Sequence, residues 1–262
     1  ARDGESVPIT LLHRKGQPLD GSSPLLLEAY GAYGLGSAAA FQSDPFSLVD
    51  RGMIYGIAHV RGGDDKGRAW YKAGRRERRN NTFNDYIDVC LHLIDRRYTA
   101  KGKIVGLGAS AGGTLMGVVA NRRPDLFASI VADVPFVDVV NTLLDPELPL
   151  TPSDYLEFGD PLASRNALES LLSYSPYDNI APQPYPEILA VAGLTDSRVT
   201  YWEPAKWVAR LRANTTVDKP ILLKTAMASG HMGESGRFGA TETTSLLYAF
   251  ACQAVRLVKR GP

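Results

Sequence analysis

The amino-acid sequence predicts an α/β fold in which a mostly parallel, twisted sheet is covered by helices on both faces. Short apolar runs alternate with longer segments whose apolar residues recur at helical spacing, and this alternation is typical of strand–helix–strand units. Two of the runs, at residues 24–30 and 53–60, lack the regular polar alternation of half-exposed strands. With 262 residues, 44% of them hydrophobic, and no linker or repeat, we expect a single domain over residues 1–262.

The strands are expected in chain order, each bounded by glycine, proline or polar residues. They are predicted at residues 6–13, 24–30, 53–60, 128–134, 186–192 and 220–225, with a further strand that begins at residue 103. The first strand follows Asp3-Gly4, a dipeptide typical of hairpin turns. Its partner strand is therefore expected to precede residue 1, and we expect the sequence to be a fragment of a longer protein.

Helices are predicted where apolar residues recur every three or four positions, at residues 83–94, 111–121, 202–212 and 240–258. The first of these follows Thr82, which we expect to cap the helix with Asp85 as its capping-box partner. Residues 143–161 are rich in proline, acidic and aromatic residues and lack sustained periodicity. We expect them to form a loop-like insertion over one end of the sheet.

Composition argues against several classes of function. The chain has 29 basic and 28 acidic residues, so nothing indicates a nucleic-acid or membrane partner. The basic run at residues 75–79 is expected to be a solvated helix face, with a basic docking patch as the alternative. Cys90 and Cys252 fall in apolar helical patterns and are expected to be buried thiols. They do not fix the compartment; we expect the cytoplasm, with the periplasm as the alternative.

The glycine-rich turn at residues 108–113 is the first feature with chemical meaning. The pattern Gly108-x-Ser110-x-Gly112, between a predicted strand and a predicted helix, fits a nucleophile elbow that presents a serine at the top of a sheet. Small flanking residues allow the close backbone approach that this turn requires. A glycine-rich turn without chemistry is the alternative, because such a pattern also arises by chance.

A serine nucleophile needs a base and a carboxylate that orients the base, and after an elbow of this kind they follow in the order acid, then histidine. His231 is the only histidine after Ser110, in a loop before the last predicted helix. Asp196 follows the predicted strand 186–192, at the edge where open α/β sheets place their sites. Asp133 also follows a strand and is the second candidate. The sequence thus predicts a triad of Ser110, Asp196 and His231.

Acyl transfer also requires hydrogen-bond donors for the developing oxyanion. The backbone amide of Ala111, directly after the nucleophile, is the first donor expected. The second is expected from the loop after strand 24–30, where Tyr30 and Gly31 offer a tyrosine hydroxyl in place of a backbone amide. A buried aromatic residue without a catalytic role is the alternative for Tyr30.

Several stretches together resemble a known family of serine peptidases, the prolyl oligopeptidase family, and most closely its oligopeptidase B branch. They are residues 30–34, 59–63, 67–71, 81–85, 108–113, 195–199 and 230–238. The resemblance implies an α/β-hydrolase domain that is normally capped by a β-propeller, which admits short peptides and excludes folded proteins. It also implies that Ser110, Asp196 and His231 form the triad, and that Tyr30 and the Ala111 amide form the oxyanion hole.

The resemblance further implies how a substrate is held. Arg198 corresponds to a residue that holds a substrate carbonyl next to the scissile residue. Oligopeptidase B enzymes cleave after Arg or Lys, and the matching carboxylates in the insertion are Asp154 and Glu157. The chain departs from the family's acidic cluster at Leu156, where another acid is expected.

From these observations we expect a serine oligopeptidase that hydrolyses short peptides through an acyl-enzyme, after Arg or Lys. A carboxylesterase on the same fold and a peptidase with prolyl specificity are the alternatives. The expected partners are short peptide substrates and a β-propeller domain of the same parent protein. No cofactor, metal, nucleic acid or membrane is expected to take part.

Overall fold

The computed structural model describes residues 1–37, 40–233 and 238–257, and these contain a central seven-stranded sheet. Its strands are β1 Ile9–Leu12, β2 Leu25–Glu28, β3 Ile54–Ala58, β4 Ile104–Ala109, β5 Phe127–Asp133, β6 Glu187–Gly193 and β7 Ile221–Ala226. They lie in the order β1-β3-β2-β4-β5-β6-β7. Strand β1 pairs antiparallel with β3, and all other pairs are parallel. The predicted mostly parallel sheet is therefore confirmed.

Helices cover both faces of the sheet. They are α1 Phe46–Val49, α2 Arg68–Lys72, α3 Asn80–Asp95, α4 Ala111–Arg122, α5 Val139–Leu143, α6 Thr151–Phe158, α7 Arg165–Leu172, α8 Trp202–Asn214 and α9 Gly239–Ala254. The predicted helices correspond to α3, α4, α8 and α9, although the predicted end at residue 258 lies outside the described residues. The shorter helices α1, α2, α5 and α7 were not predicted, because four to eight residues show too little periodicity.

The core forms two layers that the pleat of the sheet separates. Ile130 and its neighbours on one face pack against α3, α4 and α8, whereas Val131 packs on the other face against α1 and α9. Successive residues of a strand point to opposite faces, so a run of apolar residues fills both layers. Burying each such side chain contributes about 1.5–3 kcal/mol, and this is why the strands read as continuous apolar runs.

The prediction of a loop-like insertion at residues 143–161 is wrong over α6. This helix begins at Thr151 with Pro152 in its first turn, where the missing proline N–H costs nothing. It ends at Gly159, whose φ of 99° interrupts the helical backbone. The helix is too short and too polar to give a periodic signal. It places Asp154 and Glu157 over the carboxyl edge of the sheet.

The predicted cap of α3 is also wrong. The helix begins at Asn80, so Thr82 lies inside it, and its hydroxyl donates to the carbonyl oxygen of Arg61 at 2.7 Å. The expected partner Asp85 instead accepts bonds from the Arg61 guanidinium, Nε at 2.8 Å. Both side chains therefore hold the loop after β3 rather than the helix end.

The basic run at residues 75–79 is not a solvated helix face throughout. Residues Arg76–Arg78 form a 3₁₀ turn, and Arg79 is fully buried with its guanidinium over the rings of Phe83 and Phe158. The two cysteines are free and buried, as predicted. Across the described residues, none of the helices has the length and apolar character that a membrane span requires.

Candidate active site

Strand β4 ends in a sharp turn that presents Ser110 in front of α4. Ser110 has φ 53° and ψ −117°, a conformation that non-glycine residues rarely adopt and that marks strained functional positions. The flanking glycines make this turn possible. A Cβ on Gly108 would lie 2.3 Å from the carbonyl oxygen of Gly112, and one on Gly112 would lie 2.7 Å from that of Ala29. The glycine pattern read from the sequence therefore has a steric cause.

Two hydrogen-bond donors lie near Ser110, the backbone N–H of Ala111 and the hydroxyl of Tyr30. Ala111 is the first residue of α4, so its N–H has no carbonyl group one turn earlier to bind. This free N–H lies at the positive end of the helix dipole and favours a negatively charged acceptor. Burial raises the pKa of the Tyr30 hydroxyl, with the nearby Arg79 and Ser110 opposing that effect. Tyr30 is therefore protonated at neutral pH and can donate a hydrogen bond.

Asp196 and His231 form a hydrogen-bonded pair. Nδ1 of His231 lies 2.8 Å from Oδ2 of Asp196, while Oδ1 accepts the backbone N–H groups of Arg198 at 2.8 Å and Val199 at 3.0 Å. Burial would raise the pKa of Asp196, but the His231 bond and the two amides outweigh it, and the pKa lies below its usual range. The ionised carboxylate fixes the His231 proton on Nδ1, which leaves Nε2 free to act as a base.

The loops that carry the pair are pinned to each other. Gly193 at the end of β6 has no room for a side chain, because a Cβ would lie 2.5 Å from the carbonyl oxygen of Ser229. That same oxygen accepts the N–H of Thr195 at 3.1 Å. The loop with Asp196 and the loop with His231 therefore approach each other closely and hold the 2.8 Å contact.

A cavity of about 320 Å³ adjoins Ser110 and His231. Asp133, the second candidate acid, ends β5 and lines this cavity. Burial raises the pKa of its carboxyl group, and the proximity of His231 acts in the opposite direction. Among the described residues it is Asp196, and not Asp133, whose side chain accepts the hydrogen bond of His231. The hydrogen bond of His231 thus distinguishes Asp196 from Asp133, the second candidate.

The two acids of α6 have different surroundings. Glu157 is buried and its carboxylate accepts the N–H of Tyr33 at 2.8 Å and the hydroxyl of Tyr71 at 2.7 Å. It also lies 3.7 Å from Nη1 of Arg79 and 3.8 Å from Nε of Arg75. Two tyrosines and two guanidiniums therefore satisfy Glu157, and its charge is compensated within the domain.

Asp154 has no such compensation. Its carboxylate accepts the hydroxyl of Tyr33 at 3.0 Å, and no Lys or Arg lies within ion-pair distance in the described part of the chain. Only 7% of the residue is exposed. Burial raises the pKa of Asp154 to about 6; the Tyr33 bond opposes this effect and the charge of Glu157 adds to it. A buried, unpaired carboxylate favours a cation as its ligand.

Arg198 lies two residues after Asp196. Its backbone N–H bonds Asp196, and its side chain is exposed, with no hydrogen bond or ion pair to another described residue. The guanidinium is therefore available to an incoming carbonyl group.

Comparison with known proteins decides the family. The sequence profile of the prolyl oligopeptidase family matches residues 39–257, which is most of the chain. The chain belongs to the prolyl oligopeptidase family. The resemblance predicted from the short stretches is thereby confirmed, together with the α/β-hydrolase fold of this family of serine-type peptidases.

Members of the family with similar sequences or structures are longer than this chain. Dipeptidyl aminopeptidase BI of Pseudoxanthomonas mexicana is 46% identical over 251 residues, which are 95% of this chain and 35% of that protein. Oligopeptidase B from Leishmania major superposes with a TM-score of 0.95 at 41% identity, over 98% of this chain and 36% of that one. Oligopeptidase B from Trypanosoma brucei with covalently bound antipain gives 0.94 at 43%, with 98% and 36% coverage. The chain thus spans about a third of their length.

The sequence does not show which residues give Asp154 and Glu157 their different surroundings. Tyr33 lies in the family stretch 30–34, but nothing in that stretch shows that it would bond both acids. Arg75 and Arg79 lie in a basic run that was interpreted as solvated. The only signal in the sequence is that a basic run, residues 75–79, and an acidic insertion, residues 143–161, occur in the same chain. Their contact is seen only in the folded structure. Residues 234–237 of the last family stretch lie outside the described residues.

Proposed function

We propose that this chain is the catalytic part of a serine oligopeptidase that cleaves short peptides after Arg or Lys. Membership of the prolyl oligopeptidase family supports peptidase chemistry. The observation that carries the basic specificity is the buried carboxylate of Asp154, which has a tyrosine hydroxyl but no cation as its partner. A guanidinium or ammonium group gives this carboxylate the countercharge that the domain does not provide.

In the proposed reaction Nε2 of His231 accepts the Ser110 proton as the serine oxygen attacks the scissile carbonyl. Asp196 stabilises the imidazolium that results, through the 2.8 Å bond to Nδ1. The Tyr30 hydroxyl and the Ala111 amide donate to the oxyanion, and each such donor lowers the barrier by about 2.7–4 kcal/mol. His231 then protonates the leaving amine. In the second half of the reaction water attacks the acyl-enzyme, His231 accepts the proton of the water, and the same proton returns to Ser110 as the acid product leaves.

Substrate selection divides between the acids of α6. Arg75 and Arg79 compensate Glu157, which holds Tyr33 in place through its backbone N–H. Tyr33 in turn donates to Asp154, which binds the basic side chain of the substrate. Glu157 therefore supports the pocket, whereas Asp154 provides its charge. The exposed guanidinium of Arg198 holds a carbonyl of the neighbouring substrate residue.

We further propose that a β-propeller domain of the same parent protein covers the carboxyl edge of the sheet and restricts access to short peptides. Two observations support this proposal. The matches cover 95–98% of this chain but only 35–36% of the length of the relatives. The side chains of Met227, Met232 and Phe238, near that edge, are each more than half exposed.

The removal of dipeptides from a free amino terminus is a second candidate. It is favoured by the 46% identity to a protein named dipeptidyl aminopeptidase BI. This activity shares the catalytic steps above and differs in the need for a charged amino group at a fixed distance from the scissile bond.

Matched substrates separate these candidates. We expect the full chain to hydrolyse peptide amides with Arg or Lys before the scissile bond, and Ser110→Ala to abolish turnover. Glu147→Gln, an exposed change in the same insertion, is the control. Equal turnover with free and blocked amino termini supports the oligopeptidase, and turnover of free termini alone supports dipeptide removal. Turnover by Ser110→Ala equal to that of the wild type would refute the mechanism.

A further inference from the structure

Glu203, in the first turn of α8, is a buried acid that the proposed mechanism does not use. It is fully buried, and its Oε2 accepts the backbone N–H groups of Val137 at 3.0 Å and Asp138 at 2.9 Å. Its Oε1 accepts the hydroxyl of Thr142 at 2.7 Å. The neighbouring Lys206 pairs with Asp138 and not with Glu203. Three uncharged donors therefore hold this carboxylate in the described part of the chain.

The segment that Glu203 binds lies directly behind the nucleophile. The N–H of Phe136 donates to the carbonyl oxygen of Ser110 at 3.0 Å, and the hydroxyl of Thr114 in α4 donates to the carbonyl oxygen of Phe136. Pro135 packs so closely on α4 that a Cβ on Gly113 would lie 2.4 Å from the Cβ of Pro135. The position of residues 135–138 therefore determines the position of the elbow.

This segment begins with a strained residue. Val134 has φ 39°, in the left-handed region that β-branched residues avoid. Its N–H bonds the carbonyl oxygen of Val191 at 2.9 Å, and the bonds to Ser110 and Glu203 follow within four residues. A conformation of this kind persists only where the surrounding contacts over-determine it. The Glu203 carboxylate holds the other end of this segment, through the N–H groups of Val137 and Asp138.

Glu203 is also linked to the specificity pocket. Thr142, which donates to Glu203, accepts through its carbonyl oxygen the hydroxyl of Thr151 at 2.9 Å. Thr151 opens α6, the helix of Asp154. The ring of Phe136 packs against Phe158 at the other end of α6, with centroids 5.4 Å apart. One side chain thus connects the backbone behind the nucleophile with the helix that selects the substrate.

We propose that Glu203 is a positioning residue for the peptidase reaction: its carboxylate fixes residues 134–138 and, through them, the geometry of Ser110 and of the Asp154 pocket. This inference rests on the proposed function. A carboxylate suits the role because it accepts three hydrogen bonds at once, two of them on one oxygen. Burial raises the pKa of Glu203 to about 7, and the donors from Asp138, Thr142 and Val137 act against that rise. The fold thus keeps an acid at a position where its charge is costly.

Three variants test the inference. Glu203→Ala removes all three acceptor contacts, whereas Glu203→Gln keeps the oxygen that binds the two amides. Tyr86→Phe is the matched control, because it removes a fully buried hydrogen bond, to the carbonyl oxygen of Leu27, that does not involve residues 134–138. Two readouts are used: hydrogen exchange of the amides of Phe136, Val137 and Asp138, and the rate at which a fluorophosphonate probe labels Ser110.

In Glu203→Ala we expect faster exchange at residues 134–138, in the elbow and in α6, and labelling slowed roughly ten- to hundredfold, as for a misplaced reacting group. Glu203→Gln should recover the labelling rate to within about threefold, since the amide contacts remain. Tyr86→Phe should change neither readout. Unchanged exchange in Glu203→Ala, or equal slowing in Tyr86→Phe, would overturn the inference. Hydrogen exchange tests it even if the wild type is not labelled, a result that would count against the proposed function instead.

Discussion

Arg79 and Glu157 form a buried pair with Nη1 and Oε1 3.7 Å apart, and neither side chain is more than 2% exposed. Arg75 lies 3.8 Å from the other oxygen of the same carboxylate. This arrangement compensates the charge of one acid of α6 and leaves Asp154 as the acid without a cation. In the proposed specificity pocket, Asp154 is thus the carboxylate whose charge is left for a ligand.

The pH dependence of substrate selection follows from Asp154. Its pKa is raised by burial to about 6, so the carboxylate is ionised above that pH and protonated below it. We expect kcat/KM for an arginyl substrate, divided by kcat/KM for a substrate with a neutral residue at that position, to fall as the pH drops through about 6. The base His231 serves both substrates, so its titration cancels in the ratio. A ratio that stays constant between pH 5 and 8 would contradict the assignment of Asp154.

The compensating pair should be a strong determinant of stability. Arg79→Met leaves Glu157 buried without its nearest cation, and loss of one partner of a buried pair costs about 3–5 kcal/mol. Urea denaturation measures this change in the free energy of unfolding. Arg165→Met is the control, since Arg165 forms an exposed pair with Glu169 and should change the stability little. Equal losses in the two variants would show that Arg79 contributes no buried charge compensation.

Asp196 should matter far more to turnover than Asp133. Asp196→Asn removes the acceptor that fixes the proton of His231 on Nδ1, and we expect kcat to fall by roughly 10⁴-fold. Asp133→Asn alters a carboxylate that lines the cavity beside His231 but does not bind it. We expect kcat to change by less than about tenfold, which corresponds to about 1.4 kcal/mol in the barrier. Steady-state kinetics on one arginyl substrate compares the two. A larger loss in Asp133→Asn would reassign the acid of the triad.

Glu203→Gln should stabilise the fold at alkaline pH. The pKa of Glu203 is about 7 in the folded protein and near 4.5 in the unfolded chain, so the native state binds more protons between these values. Ionisation therefore lowers the free energy of unfolding of the wild type as the pH rises from 4.5 to 7. We expect the variant to gain about 2–3 kcal/mol at pH 8 and much less at pH 5, measured by urea denaturation. A gain that is independent of pH would contradict the buried, ionisable role of Glu203.

The sequence predicts the structure well where a position admits only one kind of residue, as in buried strands and in tight turns. The apolar runs predicted the strands, and the glycines around Ser110 predicted the elbow, because a Cβ at Gly108 or Gly112 would collide with backbone oxygens. The chain order of Asp196 and His231 predicted which acid and base follow. The structure brings these two residues to hydrogen-bond distance.

The sequence was less informative where contacts between distant segments decide the outcome. Helix α6 was missed because eight residues show no clear period. The basic run was interpreted as solvated, although Arg79 is buried beneath α6, since nothing in a charge pattern shows which element will cover it. Leu156, where the family resemblance leads to the expectation of an acid, is 63% exposed and leaves the contact between Tyr33 and Asp154 intact.

The contact between Asp154 and a basic substrate side chain is tested most directly by removing the charge from each partner in turn. Two substrates, one with Arg and one with citrulline before the scissile bond, differ mainly in the charge that faces the pocket. We measure kcat/KM for both with the wild type and with Asp154→Asn. We predict that the wild type prefers Arg by at least about 100-fold and that Asp154→Asn loses most of this preference, as expected when one partner of a desolvated charge pair is removed. An equal preference for Arg in the two proteins would contradict it.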